Sequence, residues 1–184
     1  MRGPNGRNRA FWTRCGLGVA AGLALAALVL TSCSSPSPPP VEAVQLGLTD
    51  RPTLDRLLET HRGRVVLIDF WATWCPPCVQ LFPHSVDLAR RYADRGLSVV
   101  CVSLDDPKDD AAVRSFLAAQ GATVTENFLA RNGSGSETAA EFQIEGGAIP
   151  FLKVYDRQGR LRTTVTGADL PKIEHAVLEL LDEK

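Results

Sequence analysis

The chain has one methionine, Met1, and three histidines, His61, His84 and His175, spread through its 184 residues. A copper site would want methionine or histidine beside its thiols, so this scarcity argues against copper handling. A structural zinc site needs four Cys or His ligands at recognisable spacing, and these histidines form no such cluster with the cysteines. A long apolar run is also missing: Gly16 to Leu30 is 15 residues, short of the roughly 20 that a spanning helix needs. With 20 basic against 21 acidic residues there is no positive surplus to recruit nucleic acid. Nor does any internal repeat divide the chain.

What is present at the N-terminus has the layout of an export signal. Arg2, Arg7, Arg9 and Arg14 precede the Ala/Leu-rich run, the first 32 residues hold no acid, and the run ends in small polar residues rather than a basic flank. Leu30-Thr31-Ser32-Cys33 follows and resembles the bacterial lipobox, in which a peptidase cuts before the cysteine and its thiol is lipidated. The alternative is an ordinary secretory signal with an incidental cysteine. Buried acyl chains contribute about 0.8 kcal/mol per CH₂, so a multiply acylated Cys33 would hold the protein to a membrane without a spanning helix. Ser34 to Pro40, SSPSPPP, reads as an extended spacer. These features divide the chain into a lipoprotein signal peptide (1–32), a lipidated cysteine and Pro/Ser-rich linker (33–43) and one folded domain (44–184). They place it in a bacterial cell envelope, lipid-anchored outside the cytoplasmic membrane. Removal of the four leader arginines leaves 16 basic against 21 acidic residues, a balance of about −5. Cys75, Cys78 and Cys101 remain, in a compartment where disulfides persist.

Along the domain, Leu54, Leu57 and Leu58 behind Pro52 predict a helix over 53–61. The run RVVLIDFW (64–71) reads as a strand buried on both faces, and LSVVCVSL (97–104) as a second. Between them, residues 76–95 carry a helix with Pro83 as an internal kink, stopped by Gly96. A helix over 109–120, a short strand over 122–129, a loop at 131–136 and a short helix near 137–142 follow. Phe151 to Val165 reads as a hairpin and 169–181 as a final helix with Pro171 in its first turn. This order predicts an α/β fold, a central mixed sheet covered by helices, with the stretch DFWATWCPPC at the first strand-to-helix junction.

A cysteine at a helix start faces unpaired N–H groups and the positive end of the helix dipole, which both favour thiolate. Cys75 is therefore the candidate nucleophile, expected to be exposed. Cys78, one turn inside, is the more buried resolving thiol. Pro76 and Pro77 occupy the first turn, where a missing N–H costs little and a fixed φ stiffens the chain. A static disulfide is the structural alternative, though so short a loop constrains little of the unfolded chain. Asp69 lies among apolar neighbours, and burial there raises the pKa of a carboxyl; a position touching water at the strand edge is the alternative. Cys101 reads as a buried core residue rather than a third redox thiol. Trp71 and Trp74 read as packing around the site, or as core alone.

The stretch VVLIDFWATWCPPC, followed by LFP, closely resembles the thioredoxin superfamily, and within it the envelope-anchored TlpA/ResA-like thiol:disulfide oxidoreductases. The resemblance covers roughly residues 44–182, and Gly146-x-x-Ile149-Pro150-Phe151 supports it independently. It implies a thioredoxin-like fold and a Cys-Pro-Pro-Cys dithiol that exchanges disulfides with exported protein substrates as a reductant, for example in cytochrome c maturation or envelope redox homeostasis. It implies an upstream membrane thiol reductant and no cofactor. It places a cis Pro150 against the cysteine pair, a trans proline opening a strand being the alternative. The backbone of Ile149 would pair with an extended substrate, and Trp74 and Pro76 would lie on the docking surface. Asp69, six residues before Cys75, would be the general acid/base for Cys78. Members often carry a glutamate three residues after the second cysteine, where this chain has Leu81, so that acid is missing. A peroxiredoxin-type peroxidase shares the fold, but its usual Pro-x-x-x-Thr-x-x-Cys loop is not met by Ile68 and Ala72 at the matching positions. A non-catalytic binding lipoprotein or metallochaperone is the reading from a different class.

Overall fold

A computed structural model describes residues 44–183; the expected signal peptide (1–32), Cys33 and the expected linker (33–43) lie outside the described residues. Strand β2 (Val65–Trp71) is buried from end to end, as its unbroken apolar and aromatic run requires. It lies in the middle of a six-stranded sheet with β1 (Gly47–Thr49), β3 (Leu97–Ser103), β4 (Glu126–Ala130), β5 (Phe151–Tyr155) and β6 (Leu161–Thr166), in the order β1-β4-β3-β2-β5-β6. β1, β4, β3 and β2 run parallel, β5 runs antiparallel to β2 and β6 antiparallel to β5, so the sheet is mixed.

Alternation along β2 splits the core into two layers. Val65, Leu67 and Trp71 face one side, where α2 (Pro76–Tyr92), α3 (Asp110–Ala119) and α5 (Leu170–Asp182) bury Phe82, Val86, Leu117 and Val177. Val66, Ile68 and Phe70 face the other, covered by α1 (Arg51–Thr60) and by Phe142 and Ile144 after α4 (Ser136–Glu141). Trp71, Phe82 and Phe116 stack with ring centroids 4.6 to 5.1 Å apart, anchoring α2 and α3 to the end of β2.

Helices α1, α2 and α5 each begin on a side-chain cap. Asp50 accepts the Thr53 N–H at 2.9 Å and Asp169 that of Lys172 at 3.1 Å. α2 is capped by Cys75 itself, has Pro76 and Pro77 in its first turn, and continues through Pro83. Gly96, at φ 93°, turns the chain into β3 after a 3₁₀ turn at Ala93–Arg95. Three boundaries differ from the sequence reading. β1 was not expected, being three residues with only Thr49 buried. α1 starts at Arg51, because Asp50 caps it ahead of Pro52. β4 starts at Glu126 rather than at 122, because the Asn127 side-chain amide donates to the carbonyls of Ala122 (2.9 Å) and Thr125 (3.1 Å), which folds 122–125 into turns.

Candidate active site

β2 ends at Trp71 and α2 begins at Pro76, so residues 72–75 make a tight crossing at the carboxyl end of the central strand. Its geometry follows from sheet register. β2 and β3 run parallel with Trp71 opposite Ser103, so the segments leaving them stay side by side, and Asp105 lands beside Thr73. The buried Asp105 carboxylate accepts the Thr73 N–H at 2.9 Å, the Thr73 hydroxyl, and the Ser103 hydroxyl at 2.6 Å. Asp105 thus clamps the loop two residues before Cys75. The sequence reading missed it; the signal available was a carboxylate just beyond a strand paired in register with the cysteine-bearing one.

Cys75 and Cys78 form a disulfide, S–S 2.06 Å. The Cys78 N–H donates to Cys75 Sγ at 3.3 Å, so the helix's first free donor points at that sulfur. Cys75 Sγ lies 3.7 Å from the carbonyl oxygen of Ile149, and the Ile149–Pro150 peptide is cis. The expected exposure of the nucleophile is not found in this oxidised state. Cys75 keeps 5% of its surface against 1% for Cys78, because the Ile149–Pro150 loop covers its sulfur. Exposure belongs instead to Trp74, 56% accessible, and to Pro76 and Pro77 around it. The covering loop is held in turn. The Gly167 N–H donates to the Pro150 carbonyl at 2.8 Å, and buried Lys153 donates to the Phe142 carbonyl at the end of α4 at 2.7 Å. Burial, and then the charge of Arg51, lowers the pKa of Lys153.

Asp69 is buried rather than at a wet strand edge, 1% exposed. Its Oδ2 accepts the Ser85 hydroxyl at 2.6 Å, and among the described residues its Oδ1 has no hydrogen-bond partner. Desolvation pushes the carboxyl up to about 6, partly offset by the Ser85 bond. Cys101 stands opposite Asp69 in the β2/β3 register. Burial first, and the Asp69 charge second, push its thiol well above the ordinary range, which keeps it neutral and unreactive. Leu81, where a glutamate was looked for, is buried in the core. A cavity of about 430 Å³ lies between Gln45–Gly47 and Ala122–Phe128 at the far edge of the sheet and includes none of these residues. The cysteine pair sits at a surface, beside an exposed tryptophan.

The family model described as Redoxin matches residues 40–179 of the chain. The chain belongs to the Redoxin family. Among its relatives, the thiol-disulfide oxidoreductase ResA of Geobacillus kaustophilus is 27% identical over 120 residues, spanning 65% of this Redoxin chain and 64% of that protein, a little under two thirds of its length. Among solved structures, a Chlorobium tepidum protein assigned as a thiol:disulfide interchange protein DsbE is 31% identical, with a TM-score of 0.53 over 67% of this chain and 84% of that one. A thiol-disulfide isomerase from Corynebacterium glutamicum, 22% identical with a TM-score of 0.56 over 68% and 86%, shares the fold. Together with the fold, these make the chain a TlpA/ResA-like member of the thioredoxin superfamily.

Proposed function

We propose that this Redoxin chain is a thiol:disulfide oxidoreductase that reduces disulfides in exported proteins through the Cys75–Cys78 dithiol. The observation that carries the reading is a disulfide-bonded CxxC capping a helix, with the sulfur of its first cysteine against the Ile149–Pro150 loop. In the reduced protein, the helix N-terminus and the Cys78 N–H stabilise a thiolate on Cys75. That thiolate attacks one sulfur of a substrate disulfide, forming a Cys75–substrate bond and expelling the other sulfur as thiolate. Cys78 then attacks Cys75 Sγ, closing the intramolecular disulfide and releasing the second substrate sulfur. The substrate gains two electrons and the protein is left oxidised, to be returned to the dithiol by an upstream membrane thiol reductant. Asp69 takes the proton of Cys78 as it attacks. Trp74, Pro76 and the Ile149 backbone form the docking surface for an extended polypeptide. No resident cofactor takes part. The domain (44–184) is carried outside the cytoplasmic membrane by the signal peptide (1–32) and held there by lipid on Cys33 through the linker (33–43).

Insulin reduction by dithiothreitol, followed as turbidity, tests the chemistry: Cys75→Ala falls to the uncatalysed rate, and full activity in that variant overturns the mechanism. The reduction potential tests the direction. A reductant lies nearer the about −270 mV of thioredoxin than the about −120 mV of a strong disulfide oxidant. A value at the oxidising end reverses the proposed electron flow.

A further inference from the structure

Ser85 is 1% exposed on the sheet-facing side of α2, where an alanine would fit with no hydroxyl to satisfy. A buried hydroxyl with no partner costs about 1–3 kcal/mol, so the position is explained only by what the hydroxyl binds. It binds one group, Asp69 Oδ2, at 2.6 Å. The carboxyl has two oxygens, and this bond distinguishes them: Oδ2 is occupied, while Oδ1 has no partner among the described residues. Cys78 lies seven positions before Ser85, two helical turns away on the same stripe of α2, so one helix face presents both the resolving cysteine and the group that orients the carboxyl.

We infer that Ser85 is a positioning residue that holds Asp69 Oδ2 and leaves Oδ1 as the oxygen that exchanges a proton with Cys78. The inference rests on the proposed acid/base role of Asp69. In the resolving step, Cys78 Sγ bonds to Cys75 Sγ, the bond from Cys75 to the substrate sulfur breaks, that sulfur leaves with the electron pair, and the Cys78 proton ends on Asp69 Oδ1. Ser85 has a second consequence. Its O–H donates to the carboxylate and so favours the ionised, proton-accepting form against the desolvation that opposes it. The titratable group that the sheet register places opposite Asp69 is Cys101 from β3, while β5 places Leu152 opposite it. No cation among the described residues pairs with Asp69, so the serine is the group that favours its carboxylate.

The test follows the reduced full-length protein with Ellman's reagent, in which Cys75 releases a first thionitrobenzoate and Cys78 displaces the second. The rate of the second release is measured against pH. In the wild type it rises with the ionisation of Asp69, and Asp69→Asn abolishes that step. Ser85→Ala moves the midpoint up by about one to two pH units, the scale of a lost hydrogen bond to a charged group, and Ser85→Thr restores it. An independent reading needs no turnover: in the oxidised protein, the infrared carbonyl band of protonated Asp69 titrates at higher pH in Ser85→Ala than in wild type or Ser85→Thr. If Asp69→Asn keeps the pH step, the acid/base reading falls and this inference with it. If Asp69→Asn loses the step while Ser85→Ala leaves both midpoints in place, only the role of Ser85 is overturned.

Discussion

At the scale of single residues, the acid/base role proposed for Asp69 carries a consequence for stability. Its carboxyl titrates at about 6 in the folded protein because it is desolvated, against 3.8 for an unperturbed aspartate. Between those pH values the native state binds the proton that the unfolded chain releases, so stability falls as pH rises through the window. The stability is fully present below about pH 4 and lost above about pH 6, and its size is about 3 kcal/mol at about 1.4 kcal/mol per unit. Asp69→Asn keeps an acceptor for Ser85 but cannot ionise, so its stability relative to wild type should climb by up to that amount between pH 4 and pH 8. Urea unfolding of the oxidised proteins at the two pH values measures it; a difference that does not change with pH would mean the carboxyl is not strained by burial. A buried group that weakens the fold when charged is what a proton acceptor near neutral pH requires.

At the scale of elements, the site is an anchoring problem: the tight loop from β2 to α2 has to present Cys75 at a fixed helix start. Asp105 does this from the end of β3 with three bonds, two of them to Thr73. Asp105→Ala should cost about 2–3 kcal/mol in urea unfolding, whereas Thr73→Ala, which keeps its backbone N–H for Asp105, should cost about 1 kcal/mol; equal costs would show that the clamp does not act through the backbone. β2, β3 and the helix after the cysteines were legible in the sequence because continuous apolar runs and helical spacing are local signals. So were the cysteine pair, the buried Asp69 and, through the resemblance, the cis Pro150. β1 was not, since three residues give alternation no room. The start of β4 was misread because an Asn side chain outcompetes the ladder. Asp105 and Ser85 escaped for a common reason: each acts on a residue 16 or more positions away, through strand register or helix packing that no local pattern encodes.

At the scale of the whole molecule, the two apolar layers leave the cysteine pair at the end of the sheet, beside the exposed Trp74 and outside the cavity of about 430 Å³. That suits a protein partner approaching a surface, and it makes the position of the domain in the cell matter more than a pocket would. No helix among the described residues is long and apolar enough to cross a membrane. The proposed tether is chemical, lipid on Cys33, where each buried CH₂ adds about 0.8 kcal/mol and more than one chain is needed for a stable hold. In a bacterial host fed labelled palmitate, the full-length wild type should incorporate label and sediment with membranes. Cys33→Ser should do neither, while turnover in the insulin assay is unchanged, since Cys33 lies outside the proposed domain (44–184). Label retained by Cys33→Ser would place the lipid elsewhere or remove it from the account. Loss of label together with loss of activity would mean that residues around Cys33 contribute to the domain, and that the boundary at 44 has to move.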